Sequence, residues 1–217
     1  MARAMTGSAV VSALECADEE AWPYRHWLLQ DVLDPDTLAG LKAWPHGAPR
    51  VRYALGRREE NNLSRRYLDA DATARIGPAR ALAEAFQDTR VVSAIEARCG
   101  TSLAGTNLRI EYAQDIAGFW LEPHTDIGVK AFTMFIYLDD GDEVRDWGTD
   151  LYSDMNTPVK RLRFADNAGM ILIPGADTWH GFLPREIDGV RRTLIINFVT
   201  SEWRSRHQCA YPDTPVA

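Results

Sequence analysis

The chain has 217 residues, of which 46% are hydrophobic and 25% charged. These proportions are those of an ordinary globular protein and exclude a disordered, collagen-like or coiled-coil chain. Lys and Arg number 24 against 31 Asp and Glu, a net charge of −7, so electrostatic binding to nucleic acid or to an anionic membrane is disfavoured. A length of this order predicts a single domain.

The three cysteines, Cys16, Cys99 and Cys209, form no CxxC pair, which excludes a zinc ribbon or a thioredoxin motif. Reduced thiols in the cytoplasm are the expectation. Met1 to Leu14 lacks the apolar run of a signal peptide, and no stretch approaches the roughly 20 apolar residues of a membrane helix.

The first half is rich in Ala, Leu, Glu and Arg at helical spacing. Asp34-Pro35-Asp36 reads as an N-cap with proline at the helix start, followed by Leu38, Leu41 and Trp44 on one face. Pro78–Cys99 is a second helical region, broken near Asp88 and stopped by Gly100. Between them the polar segment Arg57–Arg66 is a solvated loop or a loop facing a substrate. Near residue 105 the texture changes. Short runs at Leu108–Tyr112, Phe119–Leu121, Phe132–Leu138, Gly169–Ile173 and Thr193–Val199 read as strands, separated by Asp-, Asn- and Gly-rich turns. The expected fold is mainly β with flanking helices: 1–104 a helical and loop buttress, 105–200 a β core, 201–217 a tail.

Two of the five histidines carry the chemistry. His124-Thr125-Asp126 places an imidazole and a carboxylate two residues apart, on one face of a strand. His180 follows another strand and turn and supplies a third ligand. Two His and one carboxylate form the facial triad of non-haem Fe(II) enzymes, with open positions for substrate and oxygen. Further on, Arg191-Arg192-Thr193 opens the last strand. An Arg with a hydroxyl two residues later grips a carboxylate by its planar fork plus one hydrogen bond. Arg191 is preferred to Arg192, because its face also carries Thr193 and Asn197, whereas the face of Arg192 carries Leu194, Ile196 and Phe198.

The ordered set His124-x-Asp126, His180, Arg191-x-Thr193 resembles the Fe(II)/2-oxoglutarate-dependent oxygenases, most closely their prolyl-hydroxylase-like branch. The resemblance covers about residues 105–200 and implies a double-stranded β-helix (jelly-roll) core. It implies that His124, Asp126 and His180 bind Fe(II), and that Arg191 pairs with the distal carboxylate of 2-oxoglutarate, with Thr193, Tyr137 and Tyr112 beside it. Asp146-Trp147-Gly148-Thr149-Asp150-Leu151 resembles the family's Trp-Gly-Gly-x-Leu stretch, with Thr149 in place of a glycine. The implied reaction uses O2, yields succinate and CO2, and hydroxylates, desaturates or cyclises at an unactivated C–H bond. Asp126 separates the chain from halogenating relatives, which lack that carboxylate.

For the substrate, Glu122 is a candidate for holding an amine or hydroxyl and Lys130 for holding an anion. Arg109, Asn61 and Asn62 are further candidates. The expected substrate is a small polar metabolite such as an amino acid, with no nucleic-acid or membrane partner. The alternatives are a cupin-like or hydrolytic metalloenzyme, in which Glu122 would be the base, and a non-catalytic jelly-roll binding module.

Overall fold

A computed structural model describes residues 2–44, 49–53, 56–57, 64–139 and 146–217. In chain order the elements are α1 (Ala2–Glu15), β1 (Asp18–Glu20), β2 (His26–Leu29), α2 (Pro35–Lys42), β3 (Arg65–Tyr67), α3 (Ala70–Arg75), α4 (Gly77–Gln87) and α5 (Thr89–Cys99). They are followed by β4 (Asn107–Asp115), β5 (Leu121–His124), β6 (Lys130–Leu138), β7 (Asp150–Asp154), β8 (Thr157–Arg161), β9 (Gly169–Leu172), β10 (His180–Phe182) and β11 (Arg191–Val199). None of the described helices is long and apolar enough to cross a membrane.

The helix ends follow from local chemistry. The Asp34 carboxylate accepts from the Thr37 amide at 3.2 Å, and Pro35 occupies the first turn of α2. The helical region 78–99 does break at Asp88, which caps α5 by accepting from the Arg90 amide at 2.9 Å. Gly100 ends α5 with φ +70°, a left-handed conformation that suits glycine.

The strands form two antiparallel sheets. The larger runs β1-β2-β9-β6-β11-β4-β3 and the smaller runs β5-β10-β7-β8. The division at residue 105 needs correcting. β1, β2 and β3 come from the first hundred residues and complete the larger sheet at both edges, β2 on β9 and β3 on β4. Each has only three or four residues, too few for a visible alternation, so pairing with a longer strand fixes them.

Alternation along β4, β6 and β11 sorts their side chains. Leu108, Ile110, Met134, Ile136, Leu194, Ile196 and Phe198 join one cluster with Leu82, Phe86, Val91 and Ile95 from the helices. A second cluster, including Phe119, Phe135, Tyr137, Leu151, Phe164 and Phe182, lies on the other face, toward the smaller sheet. The second face also carries the buried polar side chains Arg109, Glu111, Asp115, Thr133, Arg191, Thr193 and Asn197.

Candidate active site

Directly opposed residues of antiparallel strands share a face, so the register lays out the inner face in rows. Thr133, Asn197 and Arg109 form one row. Phe135, Ile195, Glu111 and Tyr67 form the next, and Tyr137, Thr193, Ala113 and Arg65 the third. Arg191 opposite Asp115 lies beyond. A cavity runs over the second and third rows, walled by Arg65, Glu111, Thr193 and Arg191 from the larger sheet and by His180 and Phe182 from the smaller.

At one end of the cavity are the three expected ligands. His124 and His180 face each other across β5 and β10, with ring centroids 4.4 Å apart. One ligand atom from each of His124, Asp126 and His180 lies within 4.8 Å of the others. The Nδ1 atoms of His124 and His180 lie 3.0 and 2.9 Å from the carbonyls of Glu122 and Thr178. A carbonyl only accepts, so both Nδ1 atoms carry a proton, and in the neutral imidazole Nε2 then keeps the lone pair that a metal takes. Two imidazoles presenting Nε2 and one carboxylate suit Fe(II).

Asp126 is not on the strand that carries His124. β5 ends at His124, and Asp126 stands in the loop that follows. Its position is set from β6: Thr133 Oγ1 donates to Oδ2 at 2.7 Å and Lys130 Nζ donates to Oδ1. Lys130 therefore holds the carboxylate of a candidate ligand, although it also touches the cavity.

At the other end lies Arg191, with its side chain 7% exposed. Its Nε donates to the Trp147 carbonyl at 2.6 Å and its Nη1 to Asp115 at 2.7 Å. Arg192 is on the opposite face, between Leu138 and Gln114. Tyr137 donates to or accepts from Thr149 at 2.8 Å, and the Arg191 guanidinium lies 5.8 Å from its ring. Burial pushes the Tyr137 phenol up, against the opposing pull of Arg191, so it stays a neutral hydroxyl. Thr193 Oγ1 is buried with no partner among the described residues. A buried orphan hydroxyl beside a guanidinium fits an arriving carboxylate. Gly148 shapes this end too: a Cβ there would stand 1.6 Å from the Leu162 carbonyl oxygen, so only glycine lets the Trp147–Thr149 segment lie where it does.

Several expected site residues lie elsewhere. Tyr112 is turned to the helix side, where its hydroxyl donates to the Leu41 carbonyl at 3.3 Å, because residues 111 and 113 take the inner face. Glu122 is exposed at the rim, 3.9 Å from Arg57. The register shift between His180 and Phe182 sets Glu122 and Pro123 of β5 against Gly181 of β10, which breaks the alternation and gives Leu121 the inner position. Arg109 does not line the cavity. It donates to Gln208 at 2.9 Å and to Glu111, and stacks on Tyr67 and Trp203. Asn61 and Asn62 lie outside the described residues.

Three positions were missed. Asp115 joins Arg191 to a second buried guanidinium, Arg65, at 3.0 Å, and Glu111 lies 3.8 Å from Arg65 while also bonding Arg109. The result is a buried chain of alternating charge, Arg109, Glu111, Arg65, Asp115, Arg191. Charged residues at 109 and 111 alternating with Leu108, Ile110 and Tyr112, and Asp115 at the strand end, were the available signal for the carboxylates. Arg65 had none.

Two sheets facing each other around this cavity, with helices on the outer face, form a double-stranded β-helix, the fold of solved prolyl hydroxylases and 2-oxoglutarate/Fe(II) oxygenases. No family model and no curated protein matches the sequence. Among solved structures, a prolyl 4-hydroxylase of Phytophthora capsici is similar at TM-score 0.59 and 14% identity, covering 93% of this chain and 66% of that one. A Pseudomonas putida prolyl-4-hydroxylase is similar at 0.57 and 16%, covering 90% and 94%. A Trichoplax adhaerens prolyl hydroxylase, in complex with a fragment of hypoxia inducible factor, is similar at 0.58 and 14%, covering 94% and 93%. At such identities the likeness carries the fold alone.

Proposed function

We propose that the protein is an Fe(II)- and 2-oxoglutarate-dependent dioxygenase that hydroxylates an unactivated C–H bond of a small polar metabolite such as an amino acid. One observation carries the reading: a two-histidine, one-carboxylate cluster and a buried Arg191–Thr193 pair share one cavity. A hydrolase or a cupin-like enzyme has no use for the second half of that arrangement.

His124 Nε2, His180 Nε2 and Asp126 would hold the metal. Bound Fe(II), chelated by 2-oxoglutarate and exposed to O2, supplies the oxidising power, with succinate and CO2 as co-products. The chain's own residues orient and shield. Arg191 and Thr193 take the distal carboxylate of 2-oxoglutarate, and the Tyr137 hydroxyl, bonded to Thr149, closes the same end. Asp115 and the Trp147 carbonyl fix the guanidinium plane before the co-substrate arrives. Thr133 and Lys130 fix the carboxylate of Asp126. Phe119, Leu121, Phe135, Phe182 and Ile195 line the space between and exclude water.

The test is anaerobic titration of Fe(II) into the metal-free protein with 2-oxoglutarate. A visible charge-transfer band that needs both additions, is lost in His124→Ala and is weakened in Arg191→Met is the expected result. Iron uptake with no band would move the protein to the cupin-like or hydrolytic metalloenzymes. No metal uptake would leave a binding module.

A further inference from the structure

We propose that Arg65 is the substrate-binding residue of the cavity and that the substrate is a small carboxylic acid held there by its carboxylate; this rests on the oxygenase reading of the same site. Arg191 is assigned to the co-substrate by its neighbours, Thr193 and Tyr137. Arg65 is a second guanidinium in the same wall, nine-tenths buried, and that reading leaves it without a task.

Position argues first. Arg65 and Thr193 both pair with Ala113, from opposite sides of β4. Arg65 thus stands two strands from β11, roughly 10 Å across the sheet. The residue between them is alanine, whose methyl leaves the floor of the cavity open from Thr193 to Arg65. Asp115 accepts from both guanidiniums, at 3.0 Å from Arg65 and 2.7 Å from Arg191, so their heads flank one carboxylate, and a second ligand lying beside 2-oxoglutarate over this floor brings its own carboxylate to Arg65.

Preorganisation argues next. Asp115 accepts from Nη1 at 3.0 Å, Glu111 lies 3.8 Å from Nε, and the guanidinium sits 5.9 Å from the Phe119 ring. Contacts on both edges fix the plane of the fork, which favours two-point recognition of a carboxylate.

Charge argues last. The charged side chains that line the cavity are Arg65, Arg191 and Lys130 against Glu111 and Asp126, and the ion-pair chain behind them adds Arg109 and Asp115, so the net charge is +1. The metal adds two positive charges and 2-oxoglutarate removes two. One positive charge remains, and a substrate carboxylate neutralises it. Any ammonium group of the substrate is then best placed at the open mouth, near the exposed Glu122.

The experiment compares carboxylates with their uncharged amides. Acetate, benzoate and N-acetyl-L-proline, each with its carboxamide, are titrated into the full chain by calorimetry or ligand-observed NMR, with and without Fe(II) and 2-oxoglutarate under nitrogen. In the unaltered protein at least one carboxylate should bind about tenfold or more tightly than its amide. Arg65→Met should erase the discrimination, and Arg65→Lys should restore part of it. The Fe(II)·2-oxoglutarate band should survive in both. Arg65→Met leaves Asp115 paired with Arg191 and Glu111 paired with Arg109, and an unfolding curve checks the fold. No discrimination in the unaltered protein, or discrimination that survives Arg65→Met, overturns the proposal. A missing band with Arg65-dependent discrimination sinks the oxygenase reading and keeps the carboxylate site.

Discussion

The two faces of the larger sheet are made by the same strands and hold opposite chemistry. On the helix side, β4, β6 and β11 present Leu108, Ile110, Met134, Ile136, Leu194, Ile196 and Phe198, all fully buried. On the inner side the same strands present Arg109, Glu111, Asp115, Thr133, Arg191 and Asn197, also buried but bonded in pairs and chains, and Thr193, whose buried hydroxyl has no partner among the described residues. The outer face works by excluded water and close packing, so its worth is spread over many contacts. Polar groups on the inner face gain little net stability from pairing, yet are costly to leave unpaired, so their arrangement must close on itself or on a ligand. Stability and binding are therefore expected to separate by face.

The largest effect should come from the inner face at the ligands. His124→Ala should abolish specific Fe(II) uptake by anaerobic titration, with the unfolding midpoint of the metal-free protein nearly unchanged, and Asp126→Ala should abolish it with a lowered midpoint, because it takes the carboxylate from the buried Lys130 ammonium. A variant that still takes up iron with native affinity removes the cluster from the reading. Next, Arg191→Met should weaken 2-oxoglutarate binding by about 2–5 kcal/mol, the scale for truncating one partner of a buried charge pair. Calorimetry reads this, and Fe(II) uptake alone should persist.

The outer face supplies the contrast. Ile196→Ala should lower stability by about 2–5 kcal/mol in denaturant unfolding and leave the metal and 2-oxoglutarate affinities of the folded protein unchanged. An unchanged midpoint there would break the separation by face. A smaller effect is expected one step behind the ligands. Thr133→Val removes the hydroxyl that donates to Asp126 and should cost roughly 10–100-fold in metal affinity. The smallest is Arg192→Ala, one residue from Arg191 but on the helix side, which should leave the dissociation constant of 2-oxoglutarate where it was.

The sequence by itself determined what depends on neighbours along the chain. Caps and stops at Asp34, Asp88 and Gly100 are local hydrogen bonds and local backbone freedom. The long strands β4, β6 and β11 have enough alternation to declare their faces, which is why Arg191 was separable from Arg192. The candidate ligands were legible because few residue types can hold Fe(II), and their order along the chain is distinctive. The tertiary structure decided what depends on partners far apart in sequence. Strands of three or four residues exist only where a longer strand pairs with them, so β1, β2, β3 and β10 had no signal of their own. The shift between β5 and β10 put Glu122 outside and Leu121 inside, against simple alternation. Tyr112 faced the helices because residues 111 and 113 were needed on the cavity side. Arg65, in a polar stretch that reads as a loop, became a buried wall of the cavity only when β3 docked on β4 and met Glu111 and Asp115. Periodicity tells which residues share a face; only packing tells what that face meets.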